Sequence, residues 1–293
     1  MLRAAHLLLD AEPKILTDNF ALGLSGVDSE AALRVALEAM QADFAQRTNP
    51  ELAYSLLRHL RASVTMRSRY TEDELSQAIT RGVRQYVILG AGLDSFAYRR
   101  RDLTEVVRVF EVDHPATQQW KRARLQELQI ELPSNLTFIP INFEKQTLAD
   151  ALRAGDCRLE EPVFFSWLGV TGYLSEEAIF KTLREVVTAA PGSEIVFGYG
   201  IREELLDKES QQMRAALREQ VAARGEPNLS LFEPTSLAAR VKALGFAQVQ
   251  DFGPEAANAR YFADRTDGLC VGQLTHLMKA RVGDGSALER EDE

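Results

Sequence analysis

A glycine-containing turn after an apolar run is the part of this sequence most suited to holding a ligand. The stretch "YVILGAGLDSFAYRR" covers residues 86–100, and its apolar start runs into Gly90, Ala91 and Gly92. Glycine allows positive φ and a close approach of a ligand to the backbone. In open α/β sheets, ligands bind beyond the carboxyl ends of the strands. The turn is therefore predicted to line a binding site.

The residues after the turn indicate which ligand it binds. A dinucleotide site would have the pattern G-x-G-x-x-G, but Ser95 occupies the position of the third glycine. Asp94 would repel a pyrophosphate. A ligand that has no phosphate and carries an amino group or a positive centre fits this turn better. S-adenosylmethionine is such a ligand.

Two acidic residues end the next apolar run. Glu111 and Asp113 lie in "VRVFEVD", and alternate residues of a strand point to the same side. The ribose hydroxyls of an adenosine ligand need a carboxylate that accepts two hydrogen bonds. Either residue could accept these bonds, while the alternative interpretation is a solvated strand end.

Strands and helices alternate around these residues. Nearly continuous apolar runs are typical of strands buried on both faces of a parallel sheet. Such runs occupy residues 83–90, 106–113, 136–142, 162–169 and 193–200. Helical patterns lie between them, and Ser175 can cap one whose first turn is acidic. The alternation predicts a doubly wound α/β fold with a mostly parallel sheet.

The chain divides into three regions by pattern. Residues 1–81 are mostly helical and are predicted to extend over the sheet as a cofactor cover, because they lead directly into the first strand. Residues 82–282 are predicted to form the main domain, with a helical cap inserted at about 201–235. Residues 283–293 are charged and are predicted to be a disordered acidic tail.

The end of the main domain is predicted to contain a hairpin and a helix. Residues 247–253 and 259–265 have the composition of two paired strands. Residues 266–282, "TDGLCVGQLTHLMKARV", are predicted to form a closing helix.

Composition excludes several classes of protein. The chain has 293 residues, a formal net charge of −9 and a pI near 5.2, which disfavours a nucleic-acid partner. The first ten residues are too short an apolar stretch for a signal peptide, and no run approaches about 18 apolar residues. Two distant cysteines and four histidines without ligand spacing predict no metal site. We therefore expect a cytoplasmic protein that does not associate with membranes.

Five stretches together resemble a known family. They are "YVILGAGLDSFAYRR", "VFEVDHPATQQWKRARL", "FIPINFE", "FFSWLGVTGYLSEEAIFKTL" and "ARYFADRTDG". In order and spacing they are similar to the leucine carboxyl methyltransferase family of S-adenosylmethionine-dependent enzymes, and more closely to its bacterial branch of uncharacterised O-methyltransferases. The resemblance implies a Rossmann-like methyltransferase fold with a seven-stranded sheet. It also implies O-methylation of a carboxylate or hydroxyl on a small-molecule acceptor, by a monomer or homodimer.

The resemblance assigns roles around the cofactor. It places the turn from Gly90 through Ala91 to Gly92 against the methionine part, and Asp113 on the ribose. Asn142 and Phe143 fall beside the adenine, where the family has an Asp followed by an apolar residue. An amide oxygen at Asn142 can still accept a hydrogen bond, but the negative charge is lost.

An arginine is expected at the cofactor carboxylate. "MRSRY" resembles the family stretch that supplies it, with Arg67 favoured and Arg69 second, because a planar guanidinium can hold a carboxylate through two bonds. Leu168 stands where relatives that act on protein carboxyl termini have a Glu, so that residue's contacts do not transfer. Trp167 packs either on the adenosine or in the core, and His114 lies at the adenosine edge or is structural.

Four further residues are candidates for the acceptor pocket, namely Tyr173, Tyr199, Arg202 and Tyr261, and the first two are also the catalytic candidates. Methyl transfer depends mainly on positioning, which can supply roughly 7–11 kcal/mol. Two alternatives remain open at this point. One is a nicotinamide-dependent oxidoreductase, and the other is a non-catalytic binding module that retains the cofactor fold.

Overall fold

The structure is a computed structural model that describes residues 1–142, 146–222 and 230–283. Phe143, part of the predicted cap and all but the first residue of the predicted tail lie outside the described residues. The helices are α1 (Leu2–Leu9), α2 (Ala21–Leu24), α3 (Glu30–Arg47), α4 (Pro50–Thr80), α5 (Phe96–Arg99), α6 (Pro115–Glu127), α7 (Leu148–Ala154), α8 (Glu176–Val186), α9 (Lys208–Ala222), α10 (Pro234–Ala243) and α11 (Pro254–Tyr261). The strands are β1 (Gln85–Leu89), β2 (Arg108–Asp113), β3 (Leu136–Pro140), β4 (Val163–Trp167), β5 (Glu194–Ile201), β6 (Leu231–Phe232), β7 (Phe246–Phe252) and β8 (Thr275–Val282).

The sheet is doubly wound and mostly parallel, as predicted. Its strand order is β3-β2-β1-β4-β5-β8-β7, and β8 is antiparallel to both of its neighbours. The two-residue β6 adds to the end of β5, so the described sheet has eight strands and the predicted number of seven is wrong. A strand as short as β6 has too little apolar pattern to be recognised from the sequence.

The two central strands mark the point at which the strand order reverses. All five residues of β1 and all five of β4 are buried, because both faces of the sheet are covered by helices. The chain winds from β1 toward β3 on one side and from β4 toward β5 on the other. The carboxyl ends of β1 and β4 therefore form the switch point, where ligands bind in this class of fold.

Helix α4 passes from one face of the sheet to the other. Pro50 occupies its first turn, and the Asn49 side chain caps it by accepting a 2.9 Å hydrogen bond from the amide of Leu52. The first turns of α4 pack in one hydrophobic core through Leu56, and the last turns pack in the other core through Leu75. The middle of this helix consequently lies at the carboxyl ends of the central strands.

The end of the chain differs from the prediction. Residues 259–265 do not form a strand, because α11 begins at Pro254 with a proline in its first turn and continues to Tyr261. The predicted closing helix is wrong as well, since its second half is β8. Strand β8 pairs with β7, and this antiparallel pair replaces the expected hairpin. None of the helices in the described ranges is long and apolar enough to cross a membrane.

Candidate active site

A cavity of about 450 Å³ lies at the switch point. We call it the glycine cavity, because the turn from Gly90 to Leu93 forms one wall. The loop Leu168–Val170 after β4 forms a second wall, Arg67 of α4 a third, and residues 1–3 cover it. Residues of the N-terminal helical region thus line the cavity at the carboxyl ends of the strands.

The glycine turn has a conformation that other residues rarely adopt. Gly90 has φ +63° and Gly92 has φ +47°. A β-carbon at Gly90 would stand 2.4 Å from Cγ2 of Val170, so the loops after β1 and β4 could not approach each other as they do. The amides of Gly90 and Ala91 donate to the carbonyl of Val112 at 2.8 and 3.1 Å, which fixes the turn on the end of β2.

Asp113 is bonded to the same turn. Its Oδ2 accepts a 2.5 Å hydrogen bond from the Gly92 amide, and its Oδ1 accepts one of 2.6 Å from the His114 amide. The side chain is half-buried, so each carboxylate oxygen keeps a lone pair for a further donor. His114 is exposed and caps α6, since its Nδ1 accepts from the Ala116 amide at 3.3 Å. Asn142 is half-buried and follows β3.

Glu111 does not line the glycine cavity. It is fully buried and forms a 2.6 Å ion pair with Lys121, which is also fully buried. Burial raises the pKa of the Glu111 carboxyl to about 7, against the opposing effect of the Lys121 charge. The structure therefore separates the two acidic residues of β2, since Glu111 is paired in the interior and Asp113 is bonded to Gly92 of the cavity wall, although neither side chain is part of the described lining.

Arg67 projects into the cavity from the middle of α4. Its guanidinium is close enough to the Gly169 backbone that a β-carbon there would lie 2.7 Å from Nη1. Burial, and secondarily the charge of Arg3, lower the pKa of Arg67 to about 10. Within the described part of the chain, no side chain or carbonyl accepts a hydrogen bond from this guanidinium. It forms no ion pair within the described residues, and Tyr173 and Asp94 partly oppose the effect of burial on its pKa.

A second cavity of about 320 Å³ adjoins the first. We call it the α9 cavity, because α9 closes one side of it. The two cavities share Val64, Arg67 and Gly169 in their linings. The lining is largely apolar, and its apolar side chains include Leu60, Met66, Leu217, Val221 and Leu277. The shared wall means that molecules in the two cavities would lie beside each other at Arg67.

Two of the predicted acceptor residues line the α9 cavity. Tyr173 is 45% exposed, so its ring lies partly in solvent. Tyr199 is buried, and its hydroxyl donates a 2.6 Å hydrogen bond to Asp251. Burial, followed by that hydrogen bond, raises the pKa of Tyr199 far above its ordinary value. Tyr199 consequently stays protonated and cannot act as a base near neutral pH.

Other predicted site residues lie elsewhere. Arg69 is exposed and pairs with Asp73 at 2.8 Å, on the far side of α4 from the glycine cavity lining. Trp167 is buried in the core, while its neighbour Leu168 lines the glycine cavity. Arg202 is exposed. Tyr261, on α11, donates a 2.7 Å hydrogen bond to Asp73.

The structure also brings in residues that the sequence did not single out. Arg214 of α9 and His276 of β8 line the α9 cavity. His276 is held by Asp251, whose Oδ2 lies 2.9 Å from its Nδ1. A signal for Arg214 was present, because it stands in helical spacing with the apolar Leu217 and Val221. Among residues 1–142, 146–222 and 230–283, no group of three or more His, Cys, Asp and Glu side chains could hold a metal ion.

The fold is the Rossmann-like α/β fold found in S-adenosylmethionine-dependent methyltransferases. The family model for leucine carboxyl methyltransferase matches residues 1–187, and the chain belongs to that family, which makes it an S-adenosylmethionine-dependent methyltransferase by class. YktD of Bacillus subtilis strain 168, inferred to be an S-adenosyl-L-methionine-dependent methyltransferase, is 32% identical over 237 residues, which are 80% of this chain and 78% of YktD. The family resemblance read from the sequence is confirmed.

Solved structures support the fold. A DUF574 family protein of Streptomyces avermitilis aligns with a TM-score of 0.57 and 17% identity, over 90% of this chain and 95% of that one. An inferred methyltransferase of Thermobifida fusca aligns with a TM-score of 0.53 and 17% identity, over 89% of this chain and 92% of that one. At this level of identity the alignments establish the shared fold alone.

Proposed function

We propose that this protein binds S-adenosylmethionine in the glycine cavity and transfers its methyl group to an oxygen of a small molecule in the α9 cavity. The acceptor oxygen belongs to a carboxylate or a hydroxyl. The observation that carries this proposal is the shared wall of the two cavities at Arg67 and Gly169. A cofactor and an acceptor that meet there are held side by side, which is the arrangement an in-line transfer needs.

The residues of the glycine cavity fit the cofactor. The guanidinium of Arg67, which forms no ion pair within the described residues, suits the cofactor carboxylate, because a planar fork can donate two parallel hydrogen bonds. The space beside Gly92 is open, since a β-carbon there would meet no heavy atom nearer than 3.9 Å. The methionine part of the cofactor would approach the backbone closely there, in space that a side chain would otherwise fill. Asp113, whose Oδ2 accepts from the Gly92 amide, is our candidate for the ribose hydroxyls, and Asn142, after β3, is our candidate for the adenine.

The bound cofactor supplies a methyl group on a positively charged sulfur, which is already an activated leaving group. The protein's own contribution is positioning and exclusion of water. The apolar lining of the α9 cavity removes water from the acceptor oxygen. Arg67 and Gly169 fix the boundary between the two ligands.

The two kinds of acceptor oxygen make different demands. A carboxylate is already ionised at neutral pH and requires no base. A hydroxyl must lose a proton, and His276 is the residue of the described lining suited to accept it. Asp251 would fix the ring of His276 through its 2.9 Å contact with Nδ1.

Two alternative functions are less well supported. Family membership favours methyl transfer over a nicotinamide-dependent oxidation, and Ser95 in place of the third glycine agrees with this preference. Turnover would exclude a non-catalytic module that only binds the cofactor. Formation of S-adenosylhomocysteine with any acceptor decides between that module and an enzyme.

The test combines cofactor binding with a screen for acceptors. Calorimetry should detect S-adenosylmethionine and S-adenosylhomocysteine but not NAD. Asp113→Ala should weaken cofactor binding, because each lost hydrogen bond to a carboxylate is worth roughly 1.5–3 kcal/mol. S-adenosylhomocysteine production is then measured with a panel of small carboxylic acids and phenols. Failure to bind the cofactor, or an unchanged dissociation constant in a folded Asp113→Ala variant, would contradict the proposal.

A further inference from the structure

The α9 cavity contains a buried positive charge that no described carboxylate neutralises. Arg214 is 3% exposed, and it lines this cavity from α9. Its Nη2 donates to the carbonyls of Ile201, at 3.2 Å, and Leu274. Within the described residues, its buried Nε has no hydrogen-bond partner. Carbonyl oxygens orient the guanidinium, but they leave its charge unbalanced.

No described Asp or Glu forms an ion pair with Arg214. The part of the cavity lining that the structure describes includes no Asp or Glu. The nearest influence of opposite sign is Glu203, which is committed to Arg218 through a 2.9 Å ion pair on the exposed side of α9. A buried charge without a partner is costly, so a binding partner that enters the cavity would recover part of that cost.

The fold makes room for this guanidinium. A β-carbon at Gly200 would lie 2.7 Å from Cδ2 of Leu231 and 3.3 Å from Nη1 of Arg214, so both side chains pack closely on the β5 backbone there. The cavity contains a second cation, Arg67, on its opposite boundary. If the cofactor carboxylate pairs with Arg67, as the proposed function requires, Arg214 remains the cation available to an acceptor.

We propose that Arg214 selects the acceptor by binding an anionic group on it, so that the acceptor is a compact, apolar molecule with one negative charge. This inference rests on the proposed function, and it adds the residue that determines specificity and the class of acceptor. The apolar lining accommodates the uncharged part of such a molecule, while Nη1, which makes no described hydrogen bond, supplies a donor to its anion. The size of the cavity, about 320 Å³, restricts the acceptor to a small compound.

The experiment measures binding of matched probes to the protein saturated with S-adenosylhomocysteine. The probes are benzoate, phenylacetate and hexanoate, each compared with its neutral amide, together with benzenesulfonate as an anion whose oxygens are too weakly nucleophilic to accept a methyl group readily. We expect at least one carboxylate to bind ten-fold or more tightly than its amide, and we expect benzenesulfonate to bind if the site recognises any anion of that shape. Calorimetry gives each dissociation constant.

Three variants connect the preference to Arg214. Arg214→Met should abolish the difference between acid and amide, while Arg214→Lys should restore part of it because the charge is kept and the fork is lost. Arg218→Met is the matched control, since this neighbour lies one turn away on the same helix and is 57% exposed. The control should leave the preference unchanged.

Separate outcomes identify which idea has failed. If the wild-type protein does not bind S-adenosylhomocysteine, the proposed function is wrong. If it binds S-adenosylhomocysteine but binds no acid more tightly than the amide, the inference about Arg214 is overturned and the proposed function stands. The same holds if folded Arg214→Met, with normal S-adenosylhomocysteine binding, retains the preference for the acid.

Discussion

The guanidinium of Arg67 packs against the backbone of Gly169, where a β-carbon would lie 2.7 Å from Nη1 and 2.8 Å from Nη2. Gly169 also has φ +73°, a conformation that disfavours any side chain. The helix that crosses the sheet edge and the loop after β4 are therefore fitted together at this point. Since both proposed ligand sites include these two residues, their contact is sensitive to a single added methyl group.

Gly169→Ala should displace Arg67 and weaken S-adenosylhomocysteine binding ten-fold or more. Gly26→Ala is the matched control, because Gly26 has φ +76° but a β-carbon there would meet no atom within 4 Å. Both variants carry a similar backbone strain of about 1–2 kcal/mol. Calorimetry and thermal unfolding of the two variants separate strain from displacement. Equal effects on binding would show that the contact with Arg67 does not matter for the cofactor.

Arg67→Ala should weaken S-adenosylmethionine much more than 5′-methylthioadenosine, which has no carboxylate to pair with the guanidinium. The lost charge-assisted pair is worth about 1.5–3 kcal/mol, or roughly ten-fold or more in affinity. Arg69→Ala serves as the control, since Arg69 is exposed and bonded to Asp73. An equal loss for the two ligands in Arg67→Ala would mean that Arg67 supports the fold and does not contact the carboxylate.

Tyr199→Phe should change the turnover number less than three-fold. The reason is that the Tyr199 hydroxyl donates its proton to Asp251 and remains protonated at neutral pH, so it does not accept the proton of an acceptor. Initial rates of S-adenosylhomocysteine formation at saturating acceptor provide the measurement. A loss of a hundred-fold or more, in a variant with an unchanged melting temperature, would return Tyr199 to the catalytic candidates.

The buried pair of Glu111 and Lys121 should be important for stability and not for chemistry. Lys121→Met leaves the Glu111 carboxyl buried without its positively charged partner, which should cost about 3–5 kcal/mol of unfolding free energy. The double variant Glu111→Gln with Lys121→Met should recover much of this loss, because no unpaired charge remains. Chemical denaturation measures both. A double variant as unstable as the single one would contradict this explanation.

The same pair predicts a dependence of stability on pH. Burial raises the pKa of Glu111 from its ordinary 4.5 to about 7 in the folded protein. Between these values the folded chain binds more protons than the unfolded chain, so the contribution of Glu111 to stability falls as the pH rises from 4.5 to 7. Denaturation curves for the wild type and the double variant at several pH values test this. A constant difference between the two curves would contradict it.

The sequence predicted the first half of the sheet because those strands are buried on both faces. Runs such as the one through Val87 and Ile88 need no information about neighbours to be recognised. Strand β8 could not be predicted in this way, since Leu277, Met278 and Ala280 are good helix formers. Pairing with β5 and β7 overrides that preference, and pairing is a long-range property.

The site was predicted unevenly for a related reason. The glycine turn carries a local signal, and the structure places Gly90 and Gly92 in the cavity. Glu111 and Asp113 share one side of a strand, yet Lys121 from the next helix binds only the first of them. Arg214 appears in the sequence as one basic residue of an amphipathic helix. Its burial follows from the way α9 packs over the ends of β5 and β8, which no local pattern records.

The position of β8 has a consequence for how the chain reaches its final state during synthesis. In the described sheet β7 pairs only with β8, and β8 lies between β5 and β7 although it follows both along the chain. While residues 275–282 are still in the ribosome tunnel, β7 has no strand to pair with and β5 has an open edge. Strands β1 to β5 can assemble earlier, but the α9 cavity cannot be completed, because Thr275, His276 and Leu277 are part of its wall. The glycine cavity, whose described lining extends no further than Val170, is thus translated well before the α9 cavity is complete.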